Sequence, residues 1–202
     1  MNLHISTTVS KLGANIPSIN LPAIVTCRPD APCCKHCYAR KGCFSFPRNK
    51  ALLENNLTLW QTNPSQFERE VILGVMTARF VRWHSSGDIP DENYLYMMIR
   101  IAERLPEVKF LCFTKKHYYI NRFLSNGGKF PPNLSIVFSA WGDAFQPFNP
   151  HSLPVAYVRL KKEPCTIPET AYECSGFCGQ CAATSTSCWN LKSGESVVFN
   201  QH

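Results

Sequence analysis

Five short apolar runs, each bounded by turn residues, set the tightest limit on how this chain can fold: residues 21–26, 79–84, 108–114, 134–141 and 155–160. Successive side chains of a strand point to opposite faces. Runs such as Phe110-Leu111-Cys112-Phe113 and Ile136-Val137-Phe138 are apolar on both, so they need cover on both sides, as strands of a parallel sheet or barrel have. Helical patterns lie between the runs. Tyr94, Met98, Ile101 and Leu105 recur at helical spacing, with Pro90-Asp91 as a start and Pro106 as a stop. Residues 48–78 are helical in composition but broken at Asn63-Pro64, which predicts two helices. A further helix runs from about 117 to 125 and ends at Gly127-Gly128. Strands alternating with helices require right-handed crossovers. The expected fold is therefore α/β, a partial (β/α) barrel of about five mainly parallel strands with a cysteine-rich C-terminal tail. One domain, 1–202, is expected, with the barrel over about 20–162 and the tail over about 163–202.

Working residues of such folds sit on loops after the C-terminal ends of the strands. Those loops carry residues 27–37, then Ser85-Ser86-Gly87-Asp88, then Thr114-Lys115-Lys116, then Ser139, Trp141 and Asp143. The 202 residues, 45% hydrophobic, suffice for one core. No export signal and no apolar run long enough to cross a bilayer stands in the sequence, so a cytoplasmic protein with no membrane contact is expected. The net charge of +7 admits nucleic acid as a partner. Because the basic residues are dispersed, apart from pairs such as Lys115-Lys116 and Lys161-Lys162, a solvated surface is the simpler expectation.

Cysteine is used unevenly. An even spread of the 11 cysteines would put about 0.6 in an 11-residue window, yet Cys27, Cys33, Cys34 and Cys37 share one. Cys174, Cys178, Cys181 and Cys188 share another window of 15 residues. Disulfide frameworks serve small secreted domains that lack a core. An odd number of cysteines in a chain with apolar residues to spare points instead to metal. The first loop offers three ligands or four: Cys27, Cys34 and Cys37, or Cys27, Cys33 and Cys37, with Cys34-x2-Cys37 the preferred pair. Cys174-x3-Cys178-x2-Cys181 with Cys188 supplies four thiolates for a fully ligated second cluster, or a staple for the C-terminus. Zinc is the alternative, through a knuckle of Cys34-x2-Cys37 and Cys178-x2-Cys181.

A cysteine loop ending in Cys37-Tyr38-Ala39 after a first strand, followed by Ser86-Gly87-Asp88 after a second, resembles the radical S-adenosylmethionine enzymes. That resemblance implies a 4Fe-4S cluster on Cys27, Cys34 and Cys37 with one iron open to S-adenosylmethionine. It also implies that Ser86, Gly87 and Asp88 receive the amino group, and that reductive cleavage yields a 5'-deoxyadenosyl radical. The spacing departs from the Cys-x3-Cys-x2-Cys of those enzymes, since Asp30 stands where their first cysteine would. More narrowly, the Cys-Tyr-Ala loop, Trp83-His84-Ser85-Ser86-Gly87-Asp88 and the cysteine-rich tail resemble a family of phage-encoded proteins called gene product 88, over residues 26–202. That likeness implies the host cytoplasm and carries no activity with it. The second functional reading is accordingly a non-catalytic iron-sulfur or zinc protein that binds nucleic acid or a host partner.

Each motif has a plainer explanation. Gly87 and Asp88 can form an ordinary strand-to-helix turn. His84 fits a satisfied histidine of the core or rim better than a ligand. Lys115 and Lys116 could meet a carboxylate or phosphate but suit solvent. Trp141 suits packing slightly better than stacking on a base. Cys43, Cys112 and Cys165 lie outside the clusters, and Cys112 reads as a small core residue.

Overall fold

The computed structural model describes residues 2–13, 15–161 and 164–201. In chain order its elements are β1 (Ile5–Ser6), β2 (Ser18–Ile19), α1 (Pro47–Thr62), α2 (Pro64–Val75), β3 (Phe80–Trp83), α3 (Glu92–Arg104), β4 (Lys109–Thr114), α4 (His117–Ser125), β5 (Leu134–Ser139), β6 (Val155–Arg159), β7 (Tyr172–Glu173), α5 (Cys178–Cys181) and β8 (Ser196–Asn200). Three short 3-10 turns fold the cysteine loop between β2 and α1.

The strands form one open sheet in the order β1-β2-β3-β4-β5-β6-β8-β7. Every pairing is parallel except β1 with β2. Strands β2 to β6 lie side by side in sequence order, so right-handed crossovers carry α1 to α4 to a single face. Leu59, Phe67, Val71, Tyr94, Met98 and Ile120 from these helices bury against Val81, Trp83, Phe110, Cys112, Ile136 and Phe138 of the sheet. The opposite face carries Phe80, Leu111, Val137, Ala156 and Val197, covered by Leu12 and Ile16 of the N-terminal segment and by Ala182, Cys188, Trp189 and Leu191 of the tail. The doubly apolar strands thus obtain their cover from two different sources.

Local chemistry explains the helix ends. Asn63 closes α1 and caps α2, its side chain accepting from the Gln66 N–H at 3.1 Å with Pro64 in the first turn. Asp91 caps α3 by accepting from the Tyr94 N–H at 2.9 Å, and also holds the Trp60 indole at 2.9 Å. Gly127, at φ +84°, ends α4 in the left-handed conformation.

Two expectations need correction. The strand that opens the parallel series is β2, Ser18–Ile19, and residues 21–26, expected as a strand, form a turn. Pro22 has no N–H to give to a ladder, its carbonyl instead accepts from Thr26, and Ile24 turns to φ +74° with Val25 out in solvent. Among the described residues the strand count is eight rather than about five. The missed strands are two-residue edges and β8, which lies within the stretch read as a metal-binding tail; β8 pairs with β6 over five residue pairs.

Candidate metal centres

A polar framework beneath the first cysteine loop holds the ends of β2, β3 and β4 together. Asn20, fully buried, accepts at its Oδ1 from the backbone N–H groups of Ser85 (2.7 Å) and Ser86 (3.1 Å) and from the Ser18 hydroxyl (2.9 Å). Ser86 donates its hydroxyl to the Leu21 carbonyl at 3.0 Å. Thr26 accepts from the Asp88 N–H at 3.0 Å. The Asp88 carboxylate then accepts from the Ile89 N–H (2.8 Å), the Thr114 hydroxyl (2.6 Å) and the Lys115 N–H (2.9 Å). Burial raises the Asp88 pKa and these bonds pull it back. Gly87, at φ +83°, threads between: a Cβ there would stand 2.7 Å from the Leu21 carbonyl and 2.7 Å from Thr26 Oγ1. Ser86, Gly87 and Asp88 therefore lie beside the cysteine loop, with most of their polar groups bonded to the strand-end framework.

In the loop above this framework the thiols of Cys27, Cys33 and Cys37 lie within electrostatic reach of one another, and Cys34 lies within reach of Cys33. Cys27 lies within electrostatic reach of Cys37 and Cys33; burial pushes its pKa up to about 11, against the Ile24 backbone N–H that favours the thiolate. Cys33 reaches Lys115, Cys34 and Cys37. The Cys34 thiol turns instead to the Arg28 carbonyl at 3.6 Å. Tyr38 pins the loop to the sheet: its ring is exposed, but its hydroxyl donates to the Ser85 carbonyl. Ile24, a β-branched residue in the left-handed region, marks strained backbone beside Cys27.

The tail gathers its four thiols on the opposite side of the sheet from the helices. Cys174 follows β7 and donates its N–H to Val198 at 2.9 Å, Cys178 opens α5 with its N–H on the Lys11 carbonyl at 3.0 Å, and Cys188 is buried just before Trp189. Trp189 anchors this stretch through its indole N–H to the Val81 carbonyl (3.2 Å) and its own carbonyl to the Ser135 hydroxyl (2.9 Å). Cys174, Cys178 and Cys181 all act electrostatically on Cys188, whose pKa burial pushes up to about 12. Arg82 opposes that shift. It projects from β3 with its guanidinium 4.1 Å over the Phe113 ring and favours the thiolates of both Cys178 and Cys188. In the sequence Arg82 stands inside the run 79–84 read as a strand, with no role of its own, because the thiols it acts on belong to the distant tail.

The two cysteine pairs of the zinc knuckle, Cys34 with Cys37 and Cys178 with Cys181, are grouped by the fold with separate sets. All 11 cysteines are free. Among the described residues, no three Cys, His, Asp or Glu side chains stand ready as ligands of one ion. Loading either set would have to draw its thiols closer. Among the described residues, no helix is long and apolar enough to cross a membrane. Two depressions, of about 640 and 430 Å³, lie among residues of the helical layer such as Trp60, Tyr96, Arg100 and Leu73, none of them from the cysteine sets.

Residues 2–164 match the family described as Gene product 88. The chain belongs to the gene product 88 family. No curated protein and no solved structure shows a significant match to it. The family match takes in the first cysteine loop, Ser86 to Asp88 and β1 to β6, and it starts earlier than the likeness read from motifs alone. It stops before Cys174, so the tail set of this gene product 88 chain lies beyond the matched residues.

Two buried histidines behind the site give the metal-free chain a defined acid response. His84, at φ +60°, is enclosed by Tyr94 (3.3 Å) and Cys112 (3.8 Å), and burial lowers its pKa to about 3. His117 falls to about 4, mainly through burial and then the Arg28 charge. Both are neutral in the fold, whereas the unfolded chain binds their protons below about 6.5. Stability is therefore expected to fall as pH drops from about 6.5 toward 4, by a few kcal/mol in all. Asp88 works with the opposite sign, contributing stability below its unfolded value that is lost as pH rises through its raised folded value. Urea midpoints across this range check the balance: the histidines predict a net loss on acidification, and His117→Gln should make the slope shallower.

Proposed function

We propose that this protein is an iron-sulfur protein with two cysteine-ligated centres. Cys27, Cys33 and Cys37 would hold one 4Fe-4S cluster, and Cys174, Cys178, Cys181 and Cys188 a second. The observation that carries the reading is that Cys174, Cys178 and Cys181, as many as 14 positions away in sequence, all lie within electrostatic reach of the buried Cys188, as does Arg82. A buried set of thiolates carries several negative charges that low-dielectric surroundings penalise, and a metal cluster is the partner that neutralises them. When bound, such clusters supply one-electron chemistry. The chain's own residues do the rest: Tyr38 and the Asn20 framework fix the loop, Arg82 favours ionised thiols on the tail, and the tail excludes water from the sheet face.

The sequential strand order with helices on one face is also the winding of a partial barrel, which supports the radical-type reading. Three thiolates on four irons leave one position for another ligand. S-adenosylmethionine is the ligand the resemblance assigns to it, with Ser86, Gly87 and Asp88 beside it. Anaerobic reconstitution followed by S-adenosylmethionine should change the electron-spin resonance of the first cluster and, with a reductant, release 5'-deoxyadenosine. A loaded protein that neither responds nor cleaves is the non-catalytic binding protein of the second reading.

A further inference from the structure

We infer that the rim beside the first cysteine loop holds a binding recess for a small-molecule oxyanion, a phosphate or carboxylate group, built from Lys115, Lys116, Arg28, His117 and the start of α4. Helix α4 runs nine residues and no side chain caps its N-terminus. Uncapped N–H groups and the helix dipole favour negative charge there. The second observation is independent of the helix. His117, the first residue of α4, is only 5% exposed, and its Nε2 has no hydrogen-bond partner. The ring packs on Phe138 at 4.6 Å between centroids and also engages backbone at Ser139 and Thr114, so burial has been accepted while one polar nitrogen is left unmatched. A buried nitrogen without a partner is destabilising unless a ligand or water supplies one.

The charges around it have one predominant sign. Arg28 and Lys115 both act on His117, and Arg28 lies 4.9 Å from the Phe145 ring centroid while that ring sits 6.0 Å from His117. Lys115 also reaches the Cys33 sulfur, which joins the recess to the loop. Two carboxylates oppose these cations. Asp30 pairs with Arg28 and feels Lys116, and Asp88 lies behind Lys115 with its oxygens already bonded to Thr114, Ile89 and the Lys115 backbone. Neither supplies a donor or acceptor to His117 Nε2. An oxyanion would add charge-assisted bonds from Lys115 and the helix start; phosphate, which keeps a protonated oxygen at pH 7, would in addition donate to Nε2, whereas a carboxylate would be held by the cations and the helix start alone.

The recess is tested on the full chain without any requirement that iron be loaded, so failure of the iron-sulfur reading leaves this result readable. Inorganic phosphate and, separately, succinate are titrated at pH 7 while the His117 Nε2 resonance is followed in long-range proton-nitrogen spectra. Saturable movement with either anion supports the recess, phosphate alone assigning a phosphoryl group and succinate alone a carboxylate. Lys115→Gln, which keeps the backbone bond to Asp88, should weaken binding about tenfold or more. An unmoved His117 resonance with both anions, or equal affinity in a normally folded Lys115→Gln chain, overturns the inference.

Discussion

Serine at Cys33 is expected to empty the first cluster site, whereas serine at Cys34 should leave it loaded. The spacing Cys34-x2-Cys37 suggests the reverse, because two residues between cysteines is the commonest ligand interval. The proposed ligand set instead takes Cys33, for a reason of local geometry. Pro32 starts a 3-10 turn of three residues per turn, in which neighbours diverge by about 120°. Cys33 and Cys34 therefore point in different directions, and it is Cys33 that shares electrostatic reach with both Cys27 and Cys37. Cys34 meets the Arg28 carbonyl. After anaerobic reconstitution, Cys33→Ser should retain about half of the iron of the unaltered chain, the share of the tail cluster, and Cys34→Ser nearly all of it. Iron and acid-labile sulfide assays on the two variants decide the assignment, and equal losses would refute it.

Alanine at Gly87 should destabilise the protein by about 3 kcal/mol or more. Two costs act together. The backbone at φ +83° admits an L side chain only with strain of about 1–2 kcal/mol. The added Cβ would also sit 2.7 Å from the Leu21 carbonyl, 2.7 Å from Thr26 Oγ1 and 2.9 Å from Leu21 Cβ, so backbone would have to move. Because Thr26 immediately precedes Cys27 and also holds Asp88, that movement reaches the cysteine loop directly. A shift of the urea midpoint with an unchanged slope would measure the cost, and Gly127→Ala, whose Cβ meets nothing within 4 Å, serves as the control for backbone strain alone.

The helical layer was legible in the sequence because its signals are local. Asn63-Pro64, Pro90-Asp91 and Gly127-Gly128 act within one turn, and each sits at the helix end it predicted. The central strands were legible for a related reason: a doubly apolar run such as Phe110-Leu111-Cys112-Phe113 has few other places to go. What escaped was set by tertiary pairing. Ser18–Ile19 is too short to carry a pattern, and its strand status comes from Trp83 and Arg82 beside it. Ser196–Asn200 was hidden behind the cysteines that precede it, although Val197-Val198-Phe199 has strand composition. At the site, the cysteine sets and the Ser86-Gly87-Asp88 turn stood out by composition. Asn20, Thr26, Arg82 and His117 did not, since their roles depend on partners 62 to 106 residues away or on a missing partner.

The central claim, two separate iron-sulfur centres on separate cysteine sets, is tested most directly by the metal and sulfide content of the anaerobically reconstituted full chain. The account predicts a coloured protein with about eight irons and about eight acid-labile sulfides per chain, divided between the two sets by the cysteine variants. A colourless protein holding zinc without sulfide, or a chain that retains no metal at all, would contradict it.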